Sequence, residues 1–163
     1  MQPQILVLGL GNILLQDEGM GVKALECLTA QYRLPANVRP VDGGTMGLDL
    51  LSYLEGVTDL LVIDAVHTGQ PPGTLVRLAG DEIPAALSHK MSMHQVGLQE
   101  LLAVSELQGM LPSCVVVCGM EPASLDWGLD LSPPVASHLD SLVQSVVRQL
   151  RDWGASVEEA FLH

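Results

Sequence analysis

The chain is short of positive charge and of aromatic rings. Seven Lys and Arg stand against nineteen Asp and Glu, a formal net charge of -12 over 163 residues. A surface of that sign repels polyanions, which argues against nucleic acid and anionic membrane as partners. Phe, Tyr and Trp together make only 3% of the chain while hydrophobic residues make 48%. The core must therefore be built from Leu, Val, Ile, Ala and Met, as in an aliphatic α/β protein. Cysteine is also scarce: Cys27, Cys114 and Cys118 are odd in number and lie in apolar segments, which excludes a disulfide framework. Cys114 and Cys118, in the run CVVVC, share one face of a strand but lack the further ligands of a zinc site, and read as buried structural thiols. No uncharged apolar run reaches the roughly 18 residues of a membrane span. No basic residue precedes the N-terminal apolar stretch, the first being Lys23, so a secretion signal is not expected and the chain reads as cytoplasmic. Repeats, low-complexity segments and linkers are absent too, so the length fits one domain burying roughly two thirds of its unfolded surface.

What is present is organised around ILVLGLGNILLQDEGMG, from Ile5 to Gly21. Ile5 to Leu8 is an unbroken apolar run, expected of a strand buried on both faces of a parallel sheet. Gly9 and Gly11 turn the chain at its carboxyl end, and Asp17 and Glu18 then precede a helix carrying Val22, Leu25 and Leu28 at helical spacing. Val38 to Val41 predicts a second strand, broken by Asp42-Gly43-Gly44-Thr45, and Leu48 to Leu54 a short helix stopped by Gly56. Leu60 to Asp64 is a third apolar strand ending in an acid. Thr74 to Leu78 predicts an antiparallel edge strand, and Ser113 to Met120 the longest strand. His94 falls in or just before the first turn of a helix with Leu98, Leu101 and Leu102 on one face. The last helix has Ser132 as its cap, Pro133 or Pro134 first inside it, and a stripe from Val135 to Leu150. The expected architecture is a single α/β domain over residues 1–153, three-layer α/β/α with a mainly parallel twisted sheet, followed by a loose tail over 154–163.

Open α/β sheets bind ligands at the carboxyl ends of their strands, where this pattern delivers Glu18, Asp42, Asp64 and His94. A dinucleotide site fails because Leu14 stands where the third glycine belongs and two carboxylates follow at once. No phosphate-cradle lysine follows a glycine loop, and no glycine-flanked serine sits at a strand-to-helix turn. The remaining set, two carboxylates and an imidazole with Asp42 beside them, suits a divalent transition metal with open positions or acid-base work. A plainer assignment stays open: Asp42 and Asp64 capping turns, Glu18 favouring a helix start, His94 on the surface. Asp17 fits the commoner role of bonding backbone amides in its own loop. Met20, Met46, Met91 and Met93 near the rim read as filler, or as flexible grip on a large partner.

Four segments, GLGNILLQDEGMGV from Gly9, DGGTMG from Asp42, VIDAV from Val62 and MSMHQVGL from Met91, resemble in content and order the endopeptidases that mature nickel-iron hydrogenases. GMEPASLDWGLDLSPPV from Gly119 resembles that family's C-terminal portion, and the match leans towards members serving uptake hydrogenases. The resemblance implies a sheet of about five strands between helices. It also implies removal of a C-terminal extension from the precursor of the [NiFe]-hydrogenase large subunit after nickel insertion. By position it makes Glu18, Asp64 and His94 the groups that recognise nickel carried by the substrate, and Asp42 the aspartate implicated in cleavage, by aspartic or metal-assisted activation of water. Asp42 can act as general base where burial and neighbouring acids raise its pKa. Two other roles use the same cluster: a nickel-binding chaperone or tethering module that does not cut, and a general metallopeptidase for small peptides.

Overall fold

The structure, a computed structural model, describes residues 2–83 and 93–160, and the side chains of all of these except 93–97. Strand β1 (Ile5–Leu10) is buried at every residue. It is followed by a 3-10 turn (Gln16–Gly19), α1 (Met20–Gln31), the short β2 (Tyr32–Arg33) and β3 (Val38–Gly44). A 3-10 helix (Gly47–Leu54) leads to β4 (Asp59–Ala65) and β5 (Leu75–Ala79). Then come α2 (Met93–Leu107), β6 (Cys114–Met120), α3 (Pro133–Asp152) and β7 (Glu158–Glu159). The main sheet has five strands in the order β3-β1-β4-β6-β5. All are parallel except β5, which pairs antiparallel with β6 at the edge.

Strand alternation sends side chains to two cores. Ile5, Val7, Leu61, Ile63, Val116 and Cys118 pack with Leu25 and Leu28 of α1 and Leu142, Val146 and Leu150 of α3. Leu6, Leu8, Leu60, Val62 and Val117 face the other way, onto Leu50 and Leu54 of the 3-10 helix and Leu98 and Leu101 of α2. Apolar residues at consecutive positions thus each find a layer, which is why β1 and β4 read as continuous apolar runs. No helix among the described residues is long and apolar enough to cross a membrane.

Three expectations need correction. Residues 154–160 are not a loose tail: Ala155 and Val157 are buried in the α1/α3 core, and Glu158–Glu159 pair antiparallel with Tyr32–Arg33. The Arg151 guanidinium also donates to the Val157 carbonyl at 2.9 and 3.2 Å. Two apolar residues without a period give no signal in the sequence, yet burying one valine contributes about 1.5–3 kcal/mol. Residues 161–163 lie outside the described residues. Cys118 is buried, but Cys114, at the opening of β6, is exposed. Finally, β3 runs on through Asp42 to Gly44, because a register shift opposite Gly9 and Leu10 admits one extra residue, Gly43, and keeps the pairing alive.

Candidate active site

From β1 the chain moves to β3 on one side and then crosses to β4 on the other. The sheet's switch point therefore lies between the carboxyl ends of β1 and β4, where a doubly wound fold opens its ligand crevice. Asp64 sits there, near the end of β4, only 1% exposed. Its Oδ1 accepts the Ala65 amide at 2.8 Å. Alternation along β4 puts it on the same face as Leu60 and Val62, the face covered by α2.

Glu18 reaches the crevice from the other strand. It lies in the 3-10 turn that packs against β4 and is itself buried. Two glycines make this approach possible. A Cβ on Gly11, at φ +122, would fall 1.7 Å from the Glu18 carbonyl oxygen, and one on Gly21 would fall 2.1 Å from the Ile63 oxygen and 2.4 Å from that of Leu10. Gln16 at φ 46 is in the left-handed region, at a cost of about 1 kcal/mol or more, and its amide is held by the Gly128 carbonyl at 2.9 Å.

Asp17 holds this turn in place, and through a segment far away in sequence rather than its own loop. Oδ2 accepts the amides of Ala123 and Ser124 at 2.8 and 3.0 Å and the Ser132 hydroxyl at 2.7 Å. Oδ1 accepts the Ser132 amide at 2.7 Å. Burial raises the Asp17 pKa, but the bonds from Ser132, Ser124 and Ala123 outweigh it and hold the carboxyl below its ordinary value. Ser132 does stand at the cap of α3, with Pro133 first in the helix, but its hydroxyl is given to Asp17 instead of accepting from α3 amides.

Asp42 stands at the carboxyl end of the edge strand β3, opposite Gly9. Gly11 N–H donates to the Gly44 carbonyl at 2.9 Å, which ties the β1 loop to this end, and Asp42 Oδ1 accepts the Gly44 amide at 3.0 Å. The side chain is exposed, not buried as a general base at this position was expected to be. His94 lies in the first turn of α2, as expected, but its side chain falls outside the described residues, as do Met91 and the side chain of Met93. Met20 is core, and Met46 is 40% exposed. Among the described residues, no three His, Cys, Asp or Glu side chains group to hold a metal ion. What the described crevice offers is two buried carboxylates, from two different strand ends.

One buried acid escaped the sequence reading. Glu121, directly after β6, accepts the Thr68 amide and hydroxyl and the Gln70 amide through Oε1, at 2.7, 3.1 and 3.0 Å. Its Oε2 lies 3.5 Å from His67 Nδ1. The rule that singled out Asp64, an acid closing an apolar strand, applies equally to CVVVCGME.

Strand order and crevice define a doubly wound α/β protein with an acidic site at its switch point. A family model described as hydrogenase maturation protease matches residues 22–149, a span that contains Asp42, Asp64 and His94 and begins just after Glu18. The hydrogenase expression/formation protein HupD of Rhodobacter capsulatus is 46% identical over 156 residues, 94% of this chain and 74% of that one. The hydrogenase 2 maturation protease of Escherichia coli is 38% identical over 152 residues, 93% of each. The solved structure of the hydrogenase maturating endopeptidase HybD from E. coli superposes with TM-score 0.91 at 36% identity, covering 98% of both chains. The chain belongs to the hydrogenase maturation protease family. It is an endopeptidase of that kind, a processing protease rather than a non-cleaving chaperone.

Proposed function

We propose that this endopeptidase removes the C-terminal extension of the nickel-loaded precursor of a [NiFe]-hydrogenase large subunit, in the cytoplasm, and that it reads nickel carried by the substrate. The observation that carries the proposal is the convergence of Glu18 and Asp64, both buried, at the switch point, with the first turn of α2 bearing His94 on the same face of the sheet. Two carboxylates and an imidazole complete the coordination of a nickel ion already held by substrate thiolates, and a precursor without nickel lacks that point of attachment.

In the same proposal Asp42 is the general base. Water attacks the scissile carbonyl carbon while Asp42 accepts its proton, and the proton then passes to the leaving amine as the C–N bond breaks. Asp42 is exposed in the protein alone, so the desolvation that makes it basic comes from the docked precursor, which suits an enzyme that must not cut other chains. The test is mass analysis of the cognate precursor with and without nickel. Wild type is expected to shorten only the loaded form, and Asp42→Asn to lose most of that rate. Equal shortening of both forms would remove nickel from the account, and an Asp42→Asn protein of normal rate would remove the base.

A further inference from the structure

The loop between β6 and α3 is tied to the rest of the fold at its start, middle and end. Asp17 holds its beginning and end through Ala123, Ser124 and Ser132. Its middle is paired with the β1 loop, Gly128 N–H donating to the Leu14 carbonyl at 2.8 Å and Gln16 N–H to that of Gly128 at 2.9 Å. The Lys23 ammonium of α1 donates to the Leu129 carbonyl. Between these ties Trp127 stands 79% exposed and Leu129 62%, beside Ile13 and Leu14 at 45% and 47% on the paired loop. A tryptophan and three aliphatic side chains on two stitched loops, a few residues from Glu18, form a preorganised apolar patch that the fold's own core does not use. The exposed carboxylates Asp126 and Asp130 flank it.

We propose that Trp127, Leu129, Ile13 and Leu14 form the docking surface for the folded precursor, gripping an apolar patch with a basic rim that lies beside the scissile extension. The inference rests on the proposed function and deepens it, since it names the surface chemistry of the substrate. Three features commit the patch to that occupant. It is continuous with the crevice, because the loop that carries Ile13 and Leu14 runs directly into Glu18. Rigid aromatic anchors ringed by polar groups are where protein interfaces concentrate their affinity. The acidic flank, on a chain of net charge -12, selects a partner of opposite sign. Docking there would also cover the crevice mouth, the desolvation that Asp42 needs.

The experiment compares wild type, Trp127→Ala and the double variant Trp127→Ala/Leu129→Ala on purified nickel-loaded precursor. Binding is measured by calorimetry and processing by initial rates, at low and high salt. Both side chains are exposed, so thermal unfolding is expected to be unchanged and loss of fold is separable from loss of docking. The double variant is expected to weaken binding and raise KM by about 10-fold or more while kcat stays within about twofold. High salt is expected to raise KM for wild type as well, since the acidic rim is screened. Unchanged binding and KM in the double variant would overturn the proposal. So would a wild-type dimer in sedimentation that the double variant converts to monomer, because the patch would then belong to a second copy of the chain. If wild type binds the precursor through the patch but does not cut, the failure belongs to the proposed reaction and the docking surface stands.

Discussion

Replacing Asp17 by asparagine keeps the volume of the side chain and removes its charge, at a site where every donor points inwards. The carboxylate is fully buried and accepts three backbone amides and one hydroxyl. An asparagine amide has a single acceptor oxygen. Placed at the Oδ2 position, it keeps Ala123 and Ser124 but turns its NH2 onto the Ser132 amide; reversed, it loses the first two. The better orientation leaves one buried N–H unsatisfied, about 1–3 kcal/mol, and downgrades three bonds from charged to neutral, about 1 kcal/mol each. The expected loss is about 4–6 kcal/mol, a fall in Tm of about 15 °C for a domain of this size. The pH dependence has a definite sign. The folded pKa is lowered, so the carboxylate's stabilising contribution is fully present above the unfolded value of about 3.9 and is lost as pH falls through the lower folded value. Urea unfolding at pH 7 and at stepwise lower pH, read by far-UV dichroism, should show the gap between wild type and variant closing in acid. A variant within 1 kcal/mol of wild type at pH 7, or a gap that does not shrink in acid, would refute the assignment of Asp17 as the tie between the two loops.

Two further outcomes follow from packing and exposure. Gly21→Ala places a Cβ 2.1 Å from the Ile63 oxygen and 2.4 Å from the Leu10 oxygen, both backbone atoms, so it should destabilise by about 3 kcal/mol or more in the same unfolding assay. A loss under 1 kcal/mol would mean that α1 does not sit on the strand ends. Thiol titration at pH 8 should find Cys114 reacting fast in the native protein. Burial pushes the Cys118 thiol up to about 11, and burial with Asp140 and Glu26 nearby raises that of Cys27, so both should wait for unfolding.

The sequence was informative where one local rule sufficed. Apolar runs at β1, β4 and β6 name the central strands of a parallel sheet, and Asp64, the acid that closes β4, marks the sheet's carboxyl edge, because a parallel strand's end is the one place such an acid meets solvent or ligand. The first turn of α2 at His94 and the proline-opened α3 follow from spacing alone. What stayed hidden depends on long-range pairing. Asp17 finds its partners 106 to 115 residues away, the cap hydroxyl of Ser132 is diverted to it, and residues 154–160 are held by a two-residue pairing with β2. Exposure was hidden as well: Asp42 shares its DGG turn with the strand end that the motif marks, yet lies exposed at the sheet's open edge.

The most direct test of the central claim takes the proposed recognition groups one at a time. Nickel-loaded precursor is offered to wild type and to Glu18→Gln, Asp64→Asn and His94→Ala, with thermal unfolding recorded for each and shortening followed by electrophoresis. The account predicts folded variants that lose processing by about 100-fold or more, each carrying a lost metal contact. Folded variants that process loaded precursor at the wild-type rate would contradict it, and would leave the acids at the switch point as parts of the scaffold.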